Sequence, residues 1–109
     1  MKKISLIKFQ AILQKLNPSL FIYSSDNQDS YKCINFEMKF SGVKIIINQN
    51  IVYFSNNNIC LTINNINEVG IIDTNQKGTY SFTFFCSNIL DSTQPETYTI
   101  VAVQSVFYN

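Results

Sequence analysis

The side chains of this chain that could take part in chemistry are three cysteines, seven carboxylates and eight lysines, because histidine and arginine are both absent. Histidine is the usual proton-transfer group at neutral pH, and arginine is the usual fork for phosphate and carboxylate groups. A cysteine nucleophile would therefore need a lysine neighbour to form its thiolate. The composition disfavours general acid–base catalysis, and we predict that the protein is not an enzyme.

The three cysteines, Cys33, Cys60 and Cys86, are far apart in the sequence and form no C-x-x-C pair. A metal site or a dithiol redox motif would need closer spacing. Cys86 also continues the alternating apolar series of Phe82 and Phe84, which is typical of a small core residue. We therefore predict structural cysteines and no metal site.

The carboxylates do not indicate a catalytic site or a metal site either. Most of them fall in predicted turns or on the polar side of an alternating strand, where solvated side chains are the normal outcome. A glycosidase-like pair is not excluded by number alone. Asp26 and Asp29 lack the spacing, glycine and terminal glutamate of an EF-hand. The glycines, at positions 42, 70 and 78, form no phosphate-binding loop, so we predict no cofactor.

Charge and hydropathy limit the partners. The formal net charge is +1, and no apolar run approaches the roughly 18 residues of a membrane span. Lys8, Gln10 and Gln14 interrupt the apolar region that a signal peptide would require. With three unpaired thiols and no export signal, we predict a cytoplasmic protein that does not bind membranes. The weak positive charge also makes nucleic acid an unfavourable partner.

The elements that must position these residues begin with one helix, predicted at about 5–16. Phe9, Leu13 and Leu16 lie on one stripe at helical spacing, Ser5 can cap the start, and Asn17-Pro18 ends the helix. From about 20 to 108 the pattern predicts strands and turns, with asparagine-rich turns separating 43–47, 51–55 and 59–63 into a meander. Further strands are predicted at 20–24, 31–40, 66–72, 79–86 and 97–103, the last with an extension to Tyr108, together with a turn at 26–30 and a loop at 88–95.

One domain spans residues 1–109, since the chain has the size of a single domain and no linker. The predicted fold class is α+β: one N-terminal helix packed on a strongly curved, mainly antiparallel sheet or partial barrel of about six to eight strands. A helix of about 18 Å cannot cover a flat sheet that is roughly 33 Å wide. Several strands are nevertheless apolar on both faces, so the sheet must close, split into a sandwich or be covered by a second copy.

Three aromatic residues are the candidate partner-binding side chains. Phe85 interrupts the polar side of its strand, Tyr53 does the same between Val52 and Phe54, and Tyr80 begins the aromatic segment of the Phe85 strand. Aromatic residues within an uncharged polar rim are typical of a protein interface. The alternative is that this second face lines the inside of a barrel.

The composition, rich in asparagine, isoleucine and lysine, resembles that of small accessory proteins of low-GC bacteria and their phages. We predict a non-enzymatic protein-binding module. One protein of this class is a phage or mobile-element protein that binds and inhibits a host defence protein. The first alternative is a structural or assembly protein that oligomerises through its sheet. The second is a single-stranded nucleic-acid binder that stacks bases on exposed aromatics.

Overall fold

The structure, a computed structural model, describes residues 1–29, 32–74, 76–87 and 96–104. These residues form one helix and nine strands, in the order β1 (Lys2–Ile4), α1 (Leu6–Leu16), β2 (Pro18–Asp29), β3 (Lys32–Phe40), β4 (Lys44–Asn48), β5 (Ile51–Ser55), β6 (Cys60–Ile63), β7 (Ile66–Asp73), β8 (Thr79–Cys86) and β9 (Glu96–Gln104).

The strands form two antiparallel sheets. The larger sheet has six strands in the order β1-β7-β8-β9-β2-β3, and the smaller one has three in the order β4-β5-β6. The predicted fold class, one helix on a mainly antiparallel curved sheet, is confirmed, and the described strands do not close into a barrel. Nine strands replace the predicted six to eight.

The helix begins and ends where the sequence predicts. The Ser5 hydroxyl accepts a hydrogen bond from the Lys8 backbone N–H at 3.0 Å. Asn17 adopts the left-handed conformation, with φ 47°, and its N–H donates to the Leu13 carbonyl. Asparagine tolerates this conformation better than most residues, which makes it a suitable helix end.

The asparagine-rich turns also fold as predicted. The Asn56 side-chain oxygen accepts hydrogen bonds from the backbone N–H groups of Asn58 and Ile59, at 2.8 and 2.9 Å. This Asx turn reverses the chain between β5 and β6. The meander of β4, β5 and β6 is therefore a local unit, and it forms the smaller sheet.

Two predictions about the strands are wrong. The turn predicted at Asp26–Ser30 starts too early, because β2 runs to Asp29 and pairs with β3 as far as Lys32. The strand β1 was not predicted, and it is ordered by pairing with β7 rather than by its own three-residue pattern. The loop predicted at 88–95 and the extension to Tyr108 lie outside the described residues.

The core lies between the larger sheet and a second layer made of α1 and the smaller sheet. Phe9 of α1 packs edge-on against Phe82 and Phe84 of β8, with ring centroids 4.8 and 5.1 Å apart. Phe54 of β5 contacts Phe9 at 6.5 Å and Phe21 at 5.9 Å. Because the helix alone cannot cover the larger sheet, the smaller sheet covers part of it as well. We call the side of the larger sheet that faces this layer the inner face, and the opposite side the outer face.

Candidate protein-interaction face

The outer face of the larger sheet is a surface that the described elements leave uncovered. Alternate residues of each strand point to opposite faces, and those on the inner face include the buried Phe21, Phe82, Phe84 and Ile100. The strand register arranges the residues between them into four rows that cross the outer face. Each row has its own chemical character.

The longest row is uncharged except at its two ends. It runs across all six strands as Lys3, Gly70, Thr83, Thr99, Ser24 and Glu37. Threonine and serine are common on exposed strand positions, where their hydroxyl groups remain hydrated. We call this the threonine row.

The neighbouring row is mainly apolar. It runs as Ile72, Ser81, Val101, Ile22 and Lys39. Ile72 is 45 % exposed, and Val101 and Ile22 are half-buried by their neighbours on the sheet. We call this the apolar row. The third row lies next to it and contains Thr79, Val103 and Leu20, which pair across β8, β9 and β2. Val103 and Leu20 enlarge the apolar area.

The fourth row contains Phe85, which is half-buried between Glu68 of β7 and Thr97 of β9. The Glu68 carboxylate accepts an ion-pair contact from the Lys3 ammonium at 3.0 Å, and Lys3 is 80 % exposed. The charges of the outer face therefore lie near the β1 and β3 edges. Its centre is neutral.

No described element lies on the outer face. Thr79 and Gly70 are the buried residues among its four rows, and Gly70 is covered by the Met1 side chain, with which a Cβ atom at position 70 would collide. The other side chains described in these rows are half-buried or exposed. A sheet face that keeps isoleucine and valine in contact with water is a candidate binding surface.

The three aromatic residues predicted as partner-binding lie on three different surfaces. Phe85 is on the outer face of the larger sheet. Tyr53 lies on the solvent side of the smaller sheet, in register with Ile46, which is 44 % exposed. Tyr80 lies on the inner side of β8, where it borders a cleft with Ile12 and Lys15 of α1. The structure does not bring these residues together into one site.

The isoleucines and valines of the outer face were not among the predicted site residues. Their signal was present, because Ile100–Val103 is apolar on both faces of its strand. The pattern could not show that Ile22, Val101 and Ile72 lie in one row. That arrangement depends on the pairing of strands that are distant in the sequence.

Comparison with protein-family models, curated proteins and solved structures found no match to this chain. Its function must therefore be argued from its own surfaces.

The cysteines described in the structure do not form a reactive centre. Burial raises the pKa of the Cys86 thiol to about 11, and the nearby Glu96 carboxylate adds to the effect. At neutral pH this thiol is protonated and a poor nucleophile. Cys60 is an exposed free thiol on the edge strand β6. Within the described residues, no group of three or more cysteines and carboxylates is arranged to hold a metal ion.

Two clefts border the helix. One, of about 320 Å³, lies between α1, β2 and the β3–β4 connection and is lined by Gln10, Gln14 and Asn17 together with apolar side chains. The other, of about 330 Å³, is the Tyr80 cleft, where Lys15 is the charged side chain. Neither cleft combines a nucleophile with a base. In the described part of the chain, no helix has the length and hydropathy needed to cross a membrane.

Proposed function

We propose that this protein is a non-enzymatic protein-binding module and that its docking surface is the outer face of the larger sheet. The observation that carries the proposal is the apolar row, in which no described element covers Ile72, Val101 and Ile22, with the threonine row beside it. Interfaces between proteins have such an apolar, charge-depleted centre and a polar rim. The charges of this face lie near the β1 and β3 edges, as in that arrangement.

Single-stranded nucleic acid fits this face less well. Base stacking needs exposed aromatic side chains in a positively charged groove. Phe85 is the aromatic residue described on the outer face, and Glu68 is its neighbour on β7. Lys3 contacts the same Glu68, and Lys39 stands beside Glu37 at the opposite edge. The charges offset each other, which supports a protein partner.

The proposed location is the cytoplasm. Cys60 is an exposed free thiol, and Cys86 is a free thiol in the core. Exposed thiols persist in a reducing compartment and tend to oxidise outside it. Inhibition of a host defence protein stays a prediction from composition, and the docking face is compatible with it and with assembly of several copies.

The experiment is affinity capture with an immobilised copy of the protein. The immobilised chain is incubated with a bacterial lysate that contains a second, differently tagged copy. The wild type is compared with Ile22→Lys, which places a charge in the apolar row, and with Ile7→Lys. Ile7 is on α1, is 77 % exposed and lies far from the outer face, so it provides a matched control.

We expect the wild type and Ile7→Lys to retain the same protein partner and Ile22→Lys to lose it. The partner is either a lysate protein or the second copy. Circular dichroism and a thermal melt of each variant show that the protein is folded. The proposal is wrong if the wild type retains no protein of either kind. It is also wrong if Ile22→Lys retains the partner as well as the wild type does.

A further inference from the structure

We propose that the partner of the outer face is a second copy of this chain, docked about a two-fold axis that runs nearly parallel to the strands between β8 and β9. This inference rests on the proposed function, because it names the occupant of the same docking surface. It follows from the order of the strands and from the sequence of each row. The six strands divide evenly about the middle of the sheet, and two pairs of positions correspond across it, Ile72 with Ile22 and Lys3 with Glu37.

The strand order gives each strand of the outer face a counterpart strand in the second copy. The larger sheet has six strands, so three lie on each side of the line between β8 and β9. A two-fold axis along that line places β8 over the partner's β9, β7 over the partner's β2, and β1 over the partner's β3. Facing sheets pack about 10 Å apart with their strands within about 30° of parallel.

The charges at the two ends of the threonine row are opposite. Lys3 lies at the β1 end and Glu37 at the β3 end, and both side chains are exposed. The two-fold axis places Lys3 opposite the partner's Glu37, and Glu37 opposite the partner's Lys3. Lys3 also contacts Glu68 of its own chain at 3.0 Å, so each end of the interface brings one lysine between two carboxylates. Threonine and serine, with the Met1 side chain that covers Gly70, fill the space between the two ends.

The same axis places the apolar row of one copy over the apolar row of the other. Ile72 of β7 comes to lie opposite the partner's Ile22 on β2, and Ser81 lies opposite the partner's Val101. Both isoleucines of the row are thus buried against isoleucine. Lys39 remains at the rim, where its aliphatic stem covers the sheet and its ammonium group reaches water.

The available area is sufficient for a dimer. Six strands spaced about 4.8 Å apart and four rows spaced about 6.8 Å apart give a footprint of about 500 Å² per copy, or about 1,000 Å² in total. Specific protein interfaces begin at about 1,000–1,200 Å². The net charge of +1 offers no long-range repulsion between copies.

The test uses charge reversal, because the two-fold axis predicts which charged residues face each other, whereas non-specific apolar association does not. Lys3→Glu places two acidic side chains opposite each other at both ends of the interface. Glu37→Lys places two basic ones there. When the two variants are mixed, each acidic position of one chain meets a basic position of the other. Lys8→Glu, at an exposed lysine of α1, is the matched control.

The readout is sedimentation equilibrium of the purified protein. We expect the wild type and Lys8→Glu to reach twice the 12.5 kDa chain mass. Each reversal variant alone should dimerise about tenfold more weakly or worse, and the equimolar mixture should recover the wild-type affinity as a heterodimer. Recovery on mixing also shows that both variants are folded.

A wild type that stays monomeric at high micromolar concentration overturns this inference. A dimer that neither reversal weakens overturns it too, since its interface would lie elsewhere. Weakening without recovery on mixing overturns the proposed axis. If the wild type is monomeric but still captures a lysate protein in a manner that Ile22→Lys abolishes, the second-copy inference fails and the proposed function stands. If Ile22→Lys changes no binding of any kind, both are wrong.

Discussion

The two faces of the larger sheet are made by the same strands but carry different side chains. The inner face is aromatic, and Phe21, Phe82 and Phe84 are buried there by α1 and the smaller sheet. The outer face is built from threonine, serine, isoleucine and valine, and no described element covers it. Residues one position apart on β8 therefore have different physical roles.

This difference separates folding from binding. Fully buried aromatic side chains contribute several kcal/mol each to the free energy of unfolding. Half-exposed threonine and isoleucine contribute little to that free energy, yet they determine which surfaces can dock on the sheet. Substitutions on the inner face should reduce stability, and those on the outer face should reduce association.

The largest expected effect comes from the adjacent pair Phe84 and Phe85. Phe84 is fully buried and packs against Phe9, so Phe84→Ala should lower the free energy of unfolding by about 3–5 kcal/mol. Phe85→Ala, the same substitution on the outer face, should lower it by about 1 kcal/mol. Urea denaturation of both variants measures the two values. Equal losses would show that the outer face is as buried as the inner one.

The second prediction concerns alkaline pH and the thiol at the inner face. Burial raises the pKa of Cys86 from the ordinary 9.0 to about 11, so the folded chain holds this proton to higher pH than the unfolded chain does. The stability that depends on it is complete below pH 9 and is lost as the pH rises to about 11. The loss should amount to about 2 kcal/mol at most. Burial raises the pKa of Tyr23 as well, which acts in the same direction.

The measurement is urea denaturation from about pH 8 to about pH 11. Cys86→Ala is the control, because it removes the thiol from the same position on the inner face. Its free energy of unfolding should fall less steeply over this range than that of the wild type. Parallel curves for the two proteins would contradict the assigned role of Cys86.

The smallest effect is expected at the start of the helix. The Ser5 hydroxyl accepts a hydrogen bond from the Lys8 N–H, so Ser5→Ala should cost about 1 kcal/mol of stability. Since α1 covers the inner face, this variant should keep the association of the wild type when it is assayed well below its melting temperature. If Ser5→Ala weakened association as much as it lowers the free energy of unfolding, folding and binding would not be separated between the two faces.

The elements with strong local patterns could be predicted from the sequence. The apolar stripe of Phe9, Leu13 and Leu16 with its Ser5 cap indicated α1, and the bounds of β5 and β8 were predicted correctly. The asparagine turns indicated the meander that becomes the smaller sheet. These features depend on neighbouring residues alone.

The outer face could be predicted only in part, because it depends on long-range pairing. Phe85 was found because it interrupts a polar series. The apolar row joins β2 to β9, where the Ser19 hydroxyl donates a hydrogen bond to the Val103 carbonyl, 84 positions away in the sequence. In the same way, β1 is a strand because it pairs with β7, which is distant in the sequence. No local pattern determines which distant strands become neighbours, or which face of the sheet a helix and a meander will cover.

The most direct test of the account is to measure stability and association on one variant of the outer face, Val101→Lys, in the centre of the apolar row. When both proteins are compared at a concentration where they are monomeric, we predict that this variant unfolds within about 1 kcal/mol of the wild type. We also predict that it binds the partner at least about a hundredfold more weakly. A loss of several kcal/mol in stability would show that Val101 belongs to the core of the protomer. Wild-type association would show that the outer face is not the docking surface.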